Sequence, residues 1–255
     1  MTNRLATPID IREEAGVRTL HFGSEWIQGA MRIARPWNLE LEYTREMMAS
    51  LLLRDDASWP RKVLLIGLGA ASLTKFLYRN FPLAHLTVVE IEPAVVAAAR
   101  QFFKLPEDAM RINLVIGDGA EYVLNSDRKF DLILVDGYDE NASSGALDSL
   151  PFYQGCRARL SGGGVLSVNL LTSDRRFDRS IKRIAEAFDD RVLAFPSCES
   201  GNAIALAAEG DPVDISLYDL REKALDLNRA TGLNLMPAIA RLERAQCCLG
   251  SILKL

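Results

Sequence analysis

Three acidic residues in this sequence stand at the ends of aliphatic runs, each just before a turn. They are Glu90 in HLTVVEIEP, Asp118 in INLVIGDGAEYV and Asp136 in FDLILVDGYD, with Asp139 three positions beyond the last. If the runs are parallel strands, the carboxylates collect along one sheet edge, outside the carboxyl ends of the strands, where open α/β sheets hold ligands. Each has a specific chemistry. A carboxylate at the end of the second strand can accept hydrogen bonds from both ribose hydroxyls of a nucleoside. Glu90 lies 23 positions after Gly67, whose turn VLLIGLGAAS has the form of a strand turning tightly into a helix. The pair Asp136 and Asp139 could bind an alkylammonium ion and take its proton. An ordinary amine, with a pKa near ~10, is almost wholly protonated at neutral pH and has no lone pair, so transfer to its nitrogen needs a positioned base.

Plainer roles exist for each. Glu90 could be a solvated strand end, Asp118 a helix N-cap, Asp136 a strand cap and Asp139 a loop residue satisfying its own backbone. The glycine turn narrows the choice only so far. Gly67, Gly69 and Ser72 give G-x-G-x-x-S, without the third glycine of the dinucleotide fingerprint, so NAD is not specified. Asp118, flanked by Gly117 and Gly119, shifts the balance. Dehydrogenases have no regular acidic role there, whereas S-adenosylmethionine folds commonly use an acidic residue at this point to accept the adenine amino group.

These residues are positioned by a legible alternation. From residue 62 the runs KVLLIG, HLTVVE, RINLVIG, FDLILVD and GGGVLSVNLL are separated by helical segments. Such spacing implies right-handed crossovers and a doubly wound, mostly parallel sheet covered on both faces. RVLAFPS and NAIALAAE are too close for a crossover helix and predict a hairpin that adds one antiparallel strand. Gly162-Gly163-Gly164 reads as a turn entering the fifth strand. Ahead of the core, VRTLHF and EWIQGAMRI predict a small β-hairpin about Gly23-Ser24, followed by a helix through LELEYTREMMASLLL. ISLYDLREKALDLNRAT and LMPAIARLERA predict two packing helices at the other end. The expected organisation is an N-terminal hairpin and linking helix over 1–60, a nucleoside-binding α/β unit over 61–210 and C-terminal packing helices over 211–255.

Composition excludes several classes. Thirty Lys and Arg against 34 Asp and Glu, scattered along the chain, leave no basic footprint for nucleic acid or an anionic membrane. A small neutral or cationic substrate fits better. No apolar run approaches a membrane span, and MTNRLATPIDIREEAG lacks the apolar stretch of a signal peptide, so the expected location is cytoplasmic. Four cysteines without a C-x-x-C, and His21 and His85 far from all of them, predict no metal; adjacent Cys247 and Cys248 read as packing residues.

The series VLLIGLGAAS, VVEIEP, VIGDGAEYV, FDLILVDGYD, LPFY and GGGVLSVNL, with WIQGAMRI and LELEYTREMM before it, resembles the polyamine aminopropyltransferases, the spermidine synthases and their short relatives. The likeness covers roughly residues 17–207. It implies the seven-stranded fold of class I S-adenosylmethionine-dependent methyltransferases, and transfer of an aminopropyl group from decarboxylated S-adenosylmethionine to an amine such as putrescine, with a homodimer as the family's habit. By position it implies that Gln28, Gly67, Gly69, Glu90, Asp118 and Gly119 hold the nucleoside, Glu90 at the ribose and Asp118 at the adenine. It makes Asp136 the base that accepts the amine proton and Asp139 a second group binding the amine. There are departures. Ala70 stands where the family's loop carries an aspartate, which leaves intact S-adenosylmethionine and methyl transfer, or transfer to another nucleophile, as an alternative; a non-catalytic nucleoside-binding homologue is a third. The family's Y-H/Q-E-M is Thr44-Arg45-Glu46-Met47 here, with Tyr43 one position early, so a tyrosine in the amine pocket is expected to be missing or displaced, with Arg45 as an unfavourable neighbour. The loop after Asp139 lacks the family's P-x-G-P-A.

Overall fold

In the computed structural model, which describes residues 8–56, 58–139, 143–172, 177–198, 201–245, 247–248 and 250–255, the aliphatic runs become one seven-stranded sheet. The chain opens with strands β1 (Asp10–Glu14), β2 (Val17–His21) and β3 (Gly29–Arg32), then helix α1 (Glu42–Met47), which tightens into a 3₁₀ turn over Met48–Leu53. The alternating core follows as β4 (Lys62–Ile66), α2 (Ser72–Asn80), β5 (His85–Glu90), α3 (Pro93–Phe102), β6 (Ile112–Ile116), α4 (Gly119–Asn125) and β7 (Phe130–Val135). It continues with α5 (Leu150–Arg159), β8 (Leu160–Leu171), α6 (Phe177–Ala187), β9 (Val192–Ala194) and β10 (Asn202–Ala208). The chain closes with β11 (Asp214–Ser216), α7 (Leu217–Thr231), α8 (Met236–Arg244) and β12 (Ile252–Lys254).

The strand order is β6-β5-β4-β7-β8-β10-β9, parallel except where β10 runs antiparallel to both neighbours. The predicted doubly wound sheet and its single antiparallel strand are therefore both present. The order reverses between β4 and β7, so their carboxyl ends flank the crevice of the fold. Continuous aliphatic strands are what two-sided burial demands. Along β4, Val63 and Leu65 enter one apolar cluster and Leu64 and Ile66 the other. The first cluster runs from Leu20 and Met31 through α1 to Leu242 and Leu253, so the N-terminal strands and C-terminal helices share a core with one face of the sheet.

Several elements differ from the sequence reading. The N-terminal hairpin is a three-stranded meander, because DIREE pairs with β2 as an edge strand. Its charged, half-exposed side chains give no apolar alternation to read. The linking helix is one short α-helical segment and a 3₁₀ turn rather than a single helix. The three glycines lie inside β8: the pairing with β7 jumps from Phe130–Leu160 to Leu132–Val165, so they form a bulge with Gly163 at φ +82°. Ile215 and Ser216, expected to open the first C-terminal helix, instead belong to β11 and pair with β12. Helices start where the sequence supplies caps: Asp118 for α4, Ser149 ahead of Pro151 for α5, and Ser216 for α7, which ends on Gly232 in the left-handed region.

Lys75 of α2 is 1% exposed, and its ammonium donates to the carbonyl of Phe103 just beyond α3 (2.8 Å), tying the two helices together. Burial lowers its pKa from 10.5 to about 8. Between those values the unfolded chain binds this proton and the folded chain does not, so stability rises with pH across that window and the full cost of burying the charge is present below it. Relative to Lys75→Met, the wild type is expected to gain stability from pH 8 to 10.5, by at most about 3 kcal/mol. Chemical denaturation of both proteins across this range measures it, and parallel pH dependences would refute it.

Candidate active site

The turn after β4 is built to bring backbones together. Gly67 has φ +91°, and a Cβ at this position would overlap the carbonyl oxygen of Asp136. Gly69 has φ +49°, and a Cβ there would stand 2.9 Å from the carbonyl oxygen of Gln28. Through its two glycines this loop touches the end of β7 on one side and the approach to β3 on the other. The sheet's hydrogen bonds continue into these turns: Gly67 N–H donates to Val89 (2.9 Å), Gly117 N–H to Glu90 (2.9 Å) and Asp136 N–H to Ile66 (2.9 Å). The loops after β4, β6 and β7 are therefore held by the ladder itself.

Glu90 closes β5 at 7% exposure, with Oε2 accepting from Leu68 N–H (2.9 Å) and Oε1 from Glu92 N–H (2.9 Å). Burial pushes its pKa above the usual carboxylate range, and the backbone N–H donors oppose that rise. The carboxylate pins the glycine loop to β5 without exhausting its roughly four acceptor sites. Asp118 caps α4, with Oδ1 taking Ala120 N–H (2.7 Å) and Glu121 N–H (3.2 Å). Only Oδ1 is engaged in the cap, so capping and acceptance of an amino group through Oδ2 are compatible. Gly119, the first residue of α4, lies against Ile66 of β4 with no room for a side chain.

Asp136, at the end of β7, is the centre of a polar chain. Tyr43 of α1 donates its hydroxyl to Oδ2 (3.1 Å) and Asn169 of β8 donates its amide to Oδ1 (2.8 Å). Asn202 of β10 donates to Asn169 Oδ1 (2.9 Å), which fixes the Asn169 amide with its NH₂ toward Asp136. The hydroxyl of Tyr138 holds the Asn169 carbonyl (2.7 Å). Desolvation pushes the Asp136 pKa up, and the hydrogen bonds from Asn169 and Tyr43 pull against it. Burial, followed by the neighbouring Asp136 charge, pushes the Tyr43 phenol well above its ordinary value, so Tyr43 stays a donor. A carboxylate more basic than usual, aligned by two donors at the switch point, is equipped to receive a proton.

The amine-pocket tyrosine is expected from the sequence to be missing or displaced; the structure places Tyr43, one position early by the motif, on Asp136. Tyr43 is the second residue of α1, which begins at Glu42. Arg45, two residues on, is about 200° round the helix, and its guanidinium is held by the carbonyls of Leu39 (3.2 Å) and Glu40 (2.8 Å). Ala70 is 2% exposed, and its backbone nitrogen and Cβ lie against Gly29 of β3. A longer side chain there would meet that strand. Asp139 is exposed and closes a turn with Ser143, its N–H donating to the Ser143 carbonyl (3.0 Å) and its Oδ1 accepting the Ser143 N–H (2.9 Å). The loop at 140–142, where P-x-G-P-A is lacking, lies outside the described residues. Gln28 meets the site through its backbone, its N–H bonded to Leu20 (2.8 Å) and its carbonyl against Gly69. Asn169 and Asn202 were not singled out in the sequence; the signal available was a lone amide in each of two otherwise aliphatic strands, LSVNLL and NAIALAA.

Among the described residues no cluster of three or more His, Cys, Asp or Glu is placed to hold a metal ion, and no helix is long and apolar enough to cross a membrane. An open groove of about 660 Å³ lies at the amino ends of β7 and β8 instead, and Arg157 there is paired with Asp189 (2.6 Å) and Glu209 (2.6 Å).

Comparison with known proteins gives one pattern. The spermine/spermidine synthase domain matches residues 41–184. A polyamine aminopropyltransferase of Neisseria meningitidis serogroup A is 35% identical over 235 residues, 92% of this chain and 89% of the relative. One from Chromobacterium violaceum is 37% identical over 236 residues, with 92% and 89% coverage. A crystal structure of a spermidine synthase in complex with the transition-state analogue AdoDATO superposes with a TM-score of 0.65 at 22% identity, covering 91% of this chain and 84% of that one.

Two substitutions test the loop. Gly67→Ala must displace the backbone of Asp136, and is expected to cost at least ~2 kcal/mol of stability; denaturant unfolding at wild-type stability would contradict the close approach. Glu90→Gln turns an amide donor toward a backbone N–H and removes the charge, so affinity for methylthioadenosine should fall by roughly 1 to 3 kcal/mol. Isothermal titration giving unchanged affinity would remove Glu90 from the site.

Proposed function

On the premise that the chain belongs to the spermine/spermidine synthase family, we propose that it moves an aminopropyl group from decarboxylated S-adenosylmethionine to a small amine such as putrescine, with Asp136 as the proton acceptor. The protein is an aminopropyltransferase, a transferase of polyamine synthesis; methyl transfer and a non-catalytic nucleoside binder are not favoured beside it. The observation that carries the residue assignment is the Asp136 carboxylate, raised in basicity by burial and fixed by Tyr43 and Asn169 at the end of β7. The same reading has the enzyme working in the cytoplasm.

The reaction is a displacement at the aminopropyl carbon bonded to the sulfonium sulfur. The amine lone pair forms the new N–C bond, the C–S bond breaks with its electrons returning to sulfur, and methylthioadenosine leaves as a neutral thioether. One N–H proton must depart, and Asp136 takes it. Charge falls at sulfur while it appears at nitrogen, so the protein's task is alignment and proton removal. In this assignment Glu90 holds the ribose, Asp118 Oδ2 accepts the adenine amino group, and the Gly67–Gly69 loop lets the thioether lie against backbone. Asp139, exposed beyond the Asp136 cluster, supplies negative charge toward the amine's far end. The pinned loop and the capped helix support these roles because each carboxylate retains acceptor capacity after its structural bonds are made.

Asp136→Asn keeps the shape but accepts no proton, so kcat should fall by roughly 10² to 10⁴ while methylthioadenosine affinity changes little. Mass analysis of products from a panel of mono- and diamines tests both activity and acceptor. In the wild type kcat/KM should climb with pH through a group above the ordinary carboxylate range, since only ionised Asp136 works, and the asparagine variant should lack that limb. Full turnover by Asp136→Asn would end the general-base assignment.

A further inference from the structure

Helix α1 has six residues and no side-chain cap at its start, so it has too little internal stability to hold its own register. It nevertheless carries the Tyr43 hydroxyl that bonds Asp136. What holds it from the far side comes from the last fifth of the chain. Glu42 and Glu46, four apart and so on one face of α1, are both clasped by the guanidinium of Arg241 on α8. Glu46 is 2% exposed, and a carboxylate at that depth is strongly unfavourable without its cation. Lys223 of α7 fixes the other end of the segment, donating to the Leu52 carbonyl (3.1 Å) and pairing with Asp55 (2.5 Å). Ser167 of β8 supplies a third tie, to the Met47 carbonyl (3.2 Å). Residues 223 and 241 lie outside the stretch matched by the family domain.

We propose that Arg241 is a positioning residue for the proton-accepting site: by gripping Glu42 and Glu46 it sets the rotation of α1 about its axis, and so keeps the Tyr43 hydroxyl on Asp136. The two glutamates and Tyr43 share a helix of under two turns. A slip that relieves Glu46 therefore carries the phenol away from the carboxylate. α8 is itself seated by Ala238, Ile239 and Leu242 in the main apolar cluster, which makes it a fixed anchor. The C-terminal helices thereby act on the chemistry while touching none of the reacting atoms.

The proposal rests on Asp136 as the proton acceptor, and its test reads that carboxylate with or without turnover. The titratable groups facing Asp136 and Tyr43 are Tyr138 from the same loop and Cys198 ahead of β10; Glu42, Glu46 and Arg241 face the rest of α1. The Tyr43 bond lowers the Asp136 pKa, so losing it raises that pKa. Carboxyl resonances of ¹³C-labelled aspartate, assigned by the signal absent in Asp136→Asn, are titrated in wild type, Tyr43→Phe, Arg241→Met and Arg241→Met with Tyr43→Phe. Arg241→Met should raise the Asp136 pKa by about 0.5 to 1, as Tyr43→Phe does. The double variant should rise no further than Tyr43→Phe alone, and Arg241→Lys should restore part of the wild-type value. Should Arg241→Met not fold, Glu46→Gln with Arg241→Met removes both buried charges and is expected to give the same rise. An Asp136 pKa unmoved in whichever variant folds, with only the melting temperature lowered, overturns the proposal. If the wild type transfers nothing to any amine, the aminopropyl reading fails by itself, and the titration still decides the role of Arg241.

Discussion

The absence of a side chain at Gly67 is the constraint on which the rest of this site depends. The carboxyl ends of β4 and β7 converge at the point where strand order reverses, and the turn leaving β4 lies directly on the Asp136 carbonyl. Any Cβ at Gly67 would push apart the two strand ends. With the strands together, their ladder extends one residue further through Asp136 N–H to Ile66, and Asp136 emerges from a hydrogen-bonded backbone rather than a free loop. A positively twisted glycine thus converts a sheet edge into a rigid platform.

Two of the carboxylates on that platform, Glu90 and Asp118, hold backbone without using all their acceptor sites. Glu90 secures Leu68 and Glu92, and Asp118 secures the first turn of α4, yet both keep acceptor sites. The structural role therefore leaves room for the ligand-binding role proposed for each. Asp136 is different in kind. Its partners are side chains, Tyr43 and Asn169, which arrive from elements far apart in sequence and leave it raised in pKa by burial. Those partners tune a base; the backbone partners of Glu90 and Asp118 fix a loop and a helix.

The supports reach well beyond the platform. Asn202 on the antiparallel strand orients Asn169, and α8 orients α1 through Glu42 and Glu46. The segments flanking the central α/β alternation share one apolar cluster with it, so displacement at the C-terminal helices is felt at α1. This gives the insertion of a buried ion pair into an otherwise aliphatic core a physical purpose: apolar packing alone sets depth, whereas a clasped pair of carboxylates sets rotation.

Much of this was determined by the sequence alone. Aliphatic runs ending in carboxylates, separated by helix-length segments, imply a parallel sheet with acidic groups at its carboxyl edge, because strand burial and crossover handedness are local rules. Glu90, Asp118 and Asp136 could be placed at their strand ends for that reason. Tertiary structure alone decided which side chains meet Asp136. Tyr43 stood one position early by its motif, and only the placement of α1 against the end of β7 shows that it reaches Asp136. Asn169 and Asn202 sit in strands whose pairing spans 33 residues, and Arg241 lies 199 residues from Glu42. DIREE and Ile252–Lys254 became strands only because a neighbour offered an edge. Contacts of that kind depend on register and helix rotation, and both are fixed by the packing of the whole core rather than by any stretch of chain.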